Sequence, residues 1–379
     1  MGTAMVCDQV SRRKSIIVLI FLLSCILPFT TGCIDKEHRA LTLSIWVLKA
    51  DAGGSQQWMS ILNGDPNGRG HAIIQTRNGE YVIAGTGTES GKKGPVPSVV
   101  RLDGKGNLVS NVTFGTPPDS SMSLVEATDG GYIIAQQSGI LTHVNERGNI
   151  LWSTPLDGVS DDWEVIRTPD GGYRAAGNNM VISLTREGNI TWTTVFDTNR
   201  TISTLVAESS GDIITGGKMG ADAWIARVNT DGKTVFDTTI SRQPGDLYNI
   251  RVFPDGTYRL IIGTTRHTGN ATADLWVTET AEISLTADGR QIGESPVNAS
   301  RIIVATNDGG YAYSGFSVPA FTEFQPIGYP GSQLRVVRLD KGRNVAWDAS
   351  YDIGDDKAVS TIIQTADGGF AILGTAYHF

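Results

Sequence analysis

Beyond Cys33 the chain has no cysteine at all. Cys7, Cys25 and Cys33 are its only three, so everything downstream folds without an internal disulfide. Core burial and strand pairing must then supply the stability. Charge is scarce too: 18% of residues are charged, and the net charge is −8. No basic excess is available to neutralise phosphates, which excludes nucleic acid as a partner. Catalytic signatures are also missing. There is no Gly-x-Ser-x-Gly, no His-Glu-x-x-His and no P-loop. The histidines are His38, His71, His143, His267 and His378, and none is paired at metal-ligand spacing. No cofactor is expected.

What is present begins with a positive cluster, Arg12-Arg13-Lys14, and an uncharged run from Ser15 to Ile34. The most hydrophobic part, Ile16 to Leu27, is short for a bilayer span, which needs about 20 residues. The run ends in Thr30-Thr31-Gly32-Cys33 before the polar Asp35-Lys36-Glu37-His38-Arg39. This resembles a lipoprotein signal, with Cys33 as the lipidated residue, although Thr30 departs from the usual Leu. The alternatives are an uncleaved anchor over Ile16 to Ile34, or simple secretion. All three place the body outside the cytoplasm. The expected organisation is a signal or anchor over 1–32, a tether over 33–41, and one folded domain over 42–379.

That domain is repetitive. Asp-Gly-Gly-Tyr stands between apolar runs at Asp129-Gly130-Gly131-Tyr132, Asp170-Gly171-Gly172-Tyr173 and Asp308-Gly309-Gly310-Tyr311, and as Asp367-Gly368-Gly369-Phe370. Degenerate copies are Asn78-Gly79-Glu80-Tyr81, Ser210-Gly211-Asp212-Ile213 and Asp255-Gly256-Thr257-Tyr258. Such dipeptides between strands predict tight hairpins with positive φ at both central residues. A second series of turns follows, among them Gly104-Lys105-Gly106-Asn107, Arg186-Glu187-Gly188-Asn189 and Lys341-Gly342-Arg343-Asn344. An aromatic follows at a fixed offset, as Trp58, Trp152, Trp192, Trp347 and Phe236, while Ser110 and Gly293 break the rule.

Each unit therefore reads as strand a, Asp-Gly turn, strand b, variable connection, strand c, Gly-Asn turn, strand d. Four antiparallel strands per unit is a propeller blade. The domain opens with c and d only and closes with a and b only. The two halves complete a seventh blade and remove exposed sheet edges. The expected fold is all-β, a seven-bladed β-propeller closed by two strands from each end. The pattern resembles extracellular bacterial and archaeal propeller repeats of the WD40-like and quinoprotein-like kind. That resemblance implies the fold, and leaves the function open.

Function is expected on the face carrying the variable connections. The longest, Gly315 to Gln333, holds Phe316, Phe321, Phe324 and Tyr329, candidates for a partner-binding surface. The acidic d-to-a connections carry Asp161, Asp162, Asp355 and Asp356, candidate calcium ligands. Asn111, Asn189, Asn199, Asn270 and Asn298 head Asn-x-Ser/Thr tripeptides, candidate N-glycosylation sites. The reading that follows is a membrane-anchored cell-surface propeller, not an enzyme, binding a protein or glycan. The alternatives are an extracellular enzyme (quinoprotein-like, lyase or hydrolase) or a structural envelope component.

Overall fold

The computed structural model describes residues 42–65, 68–91, 93–158, 163–241, 245–267, 276–297, 299–317, 324–325, 332–354 and 357–378. The signal, Cys33 and the tether lie outside these residues. The domain opens with β1 (Thr42–Ala50) and β2 (Gln56–Asp65). Blade 1 is β3 (Arg69–Gln75), β4 (Tyr81–Gly87), β5 (Val96–Leu102) and β6 (Leu108–Thr113). Blade 2 is β7 (Ser121–Glu126), β8 (Tyr132–Gln136), β9 (Ile140–Val144) and β10 (Ile150–Pro155). Blade 3 is β11 (Glu164–Arg167), β12 (Tyr173–Gly177), β13 (Met180–Leu184) and β14 (Ile190–Val195). Blade 4 is β15 (Arg200–Ala207), β16 (Ile213–Met219), β17 (Asp222–Val228) and β18 (Thr234–Ile240). Blade 5 is β19 (Asp246–Val252), β20 (Tyr258–His267), β21 (Trp276–Leu285) and β22 (Gln291–Val297). Blade 6 is β23 (Ile302–Ala305), β24 (Tyr311–Ser317), the short β25 (Phe324–Gln325), β26 (Gln333–Leu339) and β27 (Val345–Tyr351). The chain ends with β28 (Lys357–Gln364) and β29 (Phe370–His378).

The last sheet has the order β2-β1-β29-β28, so the two ends of the domain share blade 7. β1 pairs with β29 from Thr42↔His378 to Ala50↔Phe370 without a slip. The a strands touch one another in a closed cycle: β3, β7, β11, β15, β19, β23, β28 and back to β3. They are the innermost strands of a seven-bladed propeller. Strands b and c are buried on both faces, β4 at every position, and accordingly read as unbroken apolar runs. Strand d is exposed at alternate positions, as in β10 and β14.

The turns correct one sequence expectation. Thr76 N–H donates to Glu80 O at 2.8 Å and Gly79 N–H donates to Thr76 O at 3.0 Å, and the pattern recurs from turn to turn. Gly79 has φ +84°, whereas Asn78 is not left-handed. These are three-residue loops with one left-handed position, not two-residue loops with two. The Asp side chain has a different task from the one expected. Asp170 accepts from Thr168 and from the Gly172 N–H, which closes the turn from within.

The fixed aromatic of strand d explains the second turn series. Trp192 Nε1 donates to Thr230 O of the next blade at 2.8 Å, and Thr194 Oγ1 donates to Gly232 O at 2.6 Å. A Cβ on Gly232 would lie 2.7 Å from the Trp192 ring. Trp58 on Gly106, Trp152 on Gly188 and Trp347 on Gly54 repeat this, and Trp347 Nε1 donates to Ala52 O at 2.9 Å. Phe236 takes the place against Gly289. Gly293 lacks the aromatic, and there the next turn tolerates Arg343 at φ +70°.

Each blade also carries one basic side chain at a single cross-strand position. Strand c supplies Lys49, Arg101, His143, Arg227 and Arg338. Where c has Ser183 or Ser284, the residue paired with it on b is Arg174 or Arg259. In blade 7 the pair joins the two ends of the domain: Lys49, only 2% exposed, meets Asp367 at 2.9 Å. Burial alone would raise the Asp367 carboxyl; hydrogen bonds from Thr365 and Lys49, with the Lys49 charge, overcome it and hold the pKa at about 2.

Two outcomes follow. Gly79→Ala meets open space and adds only left-handed strain, about 1–2 kcal/mol. Gly232→Ala adds the same strain plus displacement of Trp192, for about 1–3 kcal/mol more. Chemical denaturation of both variants, and of Gly232→Ala combined with Trp192→Ala, measures the coupling. Second, the depressed Asp367 pKa contributes stability that is complete above the unfolded value of about 4 and is lost as pH falls towards 2. Asp367→Asn is less stable at pH 7 and loses less on acidification through that window, read from thermal melts against pH.

Candidate functional site

The two faces of the ring differ. One carries the a-to-b and c-to-d turns, which repeat one hydrogen-bonded design and lock onto their neighbours. The other carries the b-to-c and d-to-a connections. Here the b-to-c hairpin is only Asn178-Asn179 in blade 3 and Gly220-Ala221 in blade 4, but spans 88–95 in blade 1, 268–275 in blade 5 and 318–332 in blade 6. Thr42 and His378 pair at this face too.

At the inner rim of this face the a-to-b ladders slip by one residue. The slips leave His71, Met122, Ser203, Tyr248 and Ser360 out of register. Trp163 and Arg301 hold the corresponding places just before β11 and β23. A bulge aims a side chain away from the ladder, so the rim is furnished with one such residue per blade. Trp163 and Tyr248 do not project: a Cβ on Gly177 would lie 2.5 Å from the Trp163 ring, and one on Gly263 would lie 2.2 Å from the Tyr248 hydroxyl. Ser203 and Arg301 are exposed. Sequence reading missed these bulges. Their signal was the glycine inside strand b, because a Cβ on Gly85 would sit 1.9 Å from Arg69 O.

Several described polar groups on this face are committed to one another. Asp119, 6% exposed, accepts from Gln136 Nε2 at 2.7 Å and from Ser138 Oγ at 2.6 Å, which fixes the short hairpin of blade 2. Arg200 lies 4.9 Å from the Trp224 ring centre and pairs with Asp237. Among the described residues no group of three His, Cys, Asp or Glu side chains gathers. Asp161, Asp162, Asp355 and Asp356 lie outside the described residues, as do Phe321, Tyr329, Asn270 and Asn298.

Phe316 needs correction. It is fully buried, in the core cluster of Trp46, Ala312, Leu334 and Val336 between blades 6 and 7. The reason is that β24 continues through Ser317, which points residue 316 inward with Ala312. The backbone of Phe324 lies in β25, which pairs with the end of β24 as Ser317↔Phe324. Asn111 on β6, Asn189 in the blade 3 turn and Asn199 before β15 are exposed.

A cleft of about 400 Å³ opens between blades 7 and 1, bordered by Ile45, Leu62, Val100, Ser60, Ser98 and Asn111. Leu62 lies at its border. At the matching place other blades bury Phe114, Leu156, Phe196 or Tyr351, whereas Leu62 is only half-buried.

No family model and no curated protein matches the sequence. Solved structures do match in fold. A streptogramin B lyase superposes with a TM-score of 0.58 at 12% identity, covering 88% of this chain and 98% of its own. Virginiamycin B lyase from Staphylococcus aureus gives 0.56 at 13% identity, with 88% and 99% covered. The WD40 domain of Neurospora crassa Pan2 gives 0.54 at 11%, with 81% and 89% covered. At such identities the likeness concerns the fold, which these proteins use for a lyase and for a WD40 domain alike.

Phe316→Ala should behave as a core truncation, costing about 3–5 kcal/mol in denaturant titrations.

Proposed function

We propose that this protein is a membrane-anchored, extracytoplasmic propeller that binds a protein or glycan at the cell surface through its variable-connection face. Lipidation of Cys33 supplies the anchor in this reading. The carrying observation is the inequality of the two faces. Seven repeats keep one turn design on one side, while the connections on the other range from Asn178-Asn179 to residues 318–332. A rigid scaffold with divergent loops suits recognition, because loop changes there leave the core untouched. The fold likeness to a WD40 domain is in keeping with an interaction role.

The same geometry supplies a clean variant. Ser317 pairs with Gln333, so Asn-Gly can replace residues 318–332 as a two-residue hairpin. The shortened protein should melt as the wild type does and lose its cross-linked partners on whole cells. Partners captured unchanged by a folded variant would refute the assignment of this connection. Cys33→Ser should abolish incorporation of labelled fatty acid into the protein on growing cells.

A further inference from the structure

Between blades 5 and 6, on the face of stereotyped turns, several residues break the repeat together. At the last paired position but one of the a–b ladder, the a strands carry Ile74, Val125, Ile166, Val206, Val304 and Ile363. Blade 5 alone carries a cation there, Arg251, and it stands directly opposite Arg259. Like charges facing each other across a ladder are destabilising. Blade 5 already has in Arg259 the one basic residue that each blade uses. Arg251 is therefore supernumerary.

The surroundings offset it only in part, through the Asp308 charge. Among the described residues Arg251 makes no ion pair; its Nη1 donates to Gly310 O at 3.1 Å. Both guanidiniums lie over Phe253, Arg251 at 4.9 Å and Arg259 at 4.6 Å from the ring centre. Arg343 joins them, over the Tyr311 ring at 5.5 Å. Glu282, 5% exposed, is the carboxylate that Arg259 and Arg343 share. It accepts from Tyr311 OH at 2.8 Å, pairs with Arg343, and lies 3.7 Å from Arg259. Asp308 is taken up by Arg338. Burial, with Arg259 and Arg343 nearby, pushes the Arg251 guanidinium below its usual pKa. The buried Arg343 Nε has no hydrogen-bond partner among the described residues.

Arg259 and Arg343 thus share the Glu282 carboxylate, and Arg251 stands beside them without an ion pair among the described residues, in a chain whose net charge is −8. Here Gly293 stands where five of the blades place Trp or Phe, and Arg343 takes the left-handed position of the next turn. Local rule-breaking concentrated at one place is expected at functional or strained sites. We propose that Arg251, Arg259 and Arg343 form an oxyanion-binding site that takes a carboxylate or phosphate group of an acidic ligand. The planar guanidinium of Arg251 donates to it in forked fashion, while Phe253 and the Glu282 carboxylate hold the other two side chains in place. The site lies on the opposite face from the variable connections and does not depend on their role.

Thermal melts of the whole folded domain test it, at constant ionic strength, with chloride alone, inorganic phosphate, sodium glucuronate, or glucose in chloride as the neutral control. Phosphate or glucuronate should raise the wild-type midpoint over chloride, and the more effective of the two identifies the group. Arg251→Ile, which installs the residue of the other blades, should melt no lower than wild type in chloride and show no anion response. Arg251→Lys keeps the charge but not the fork, and should weaken the anion about tenfold or more in titration calorimetry. Equal anion shifts in wild type and both variants would overturn the site, as would the absence of any shift in wild type.

Discussion

An aromatic side chain pressed against a glycine holds this ring together. Each blade buries its apolar faces against two neighbours, but burial is non-directional and fixes no angle between sheets. The latch does. The indole of strand d lies on the left-handed glycine of the next turn, and its N–H meets that turn's carbonyl, as at Trp192 and Trp347. A side chain at the glycine is excluded while the ring is present. Where Gly293 leaves the aromatic out, the next turn admits Arg343, whereas behind Ser110 the turn keeps Gly148 against Val112.

Most of the architecture was legible because the repeat writes it many times. The Asp-Gly and Gly-Asn series set the blade count, and their offset set the closure seen in the β2-β1-β29-β28 sheet. The turn geometry was misread, because Asn78-Gly79 looks like a two-residue turn unless the bond from Thr76 to Glu80 is known. Phe316 was misplaced because the strand end cannot be seen from the glycines and prolines beyond it. The bulged rim was hidden for another reason. His71 and Ser203 carry no local sign of slippage; the sign sits across the ladder, in Gly85 and Gly217.

The electrostatics repeat as strictly as the packing. A basic residue enters each blade from strand c or from its neighbour on b, never from both in the pairs seen here. A buried cation without a partner is costly, and carboxylates of the adjoining turns face Lys49, Arg101, Arg174, Arg227 and Arg338. Lys49 and Asp367 extend that rule across the closure of the ring, where the partners are far apart in sequence. The excess at Arg251 stands out only against this regular background.

The closure also has a mechanical meaning. β1 lies inside its sheet, hydrogen-bonded to β2 on one side and to β29 on the other. A pull on the chain at Thr42, directed along the strand and away from the variable face, loads both ladders in shear. Their bonds must then fail together rather than one after another, as they would if an edge strand were peeled away. A domain closed in this way resists traction at its N-terminal strand through the same pairing that shuts the ring.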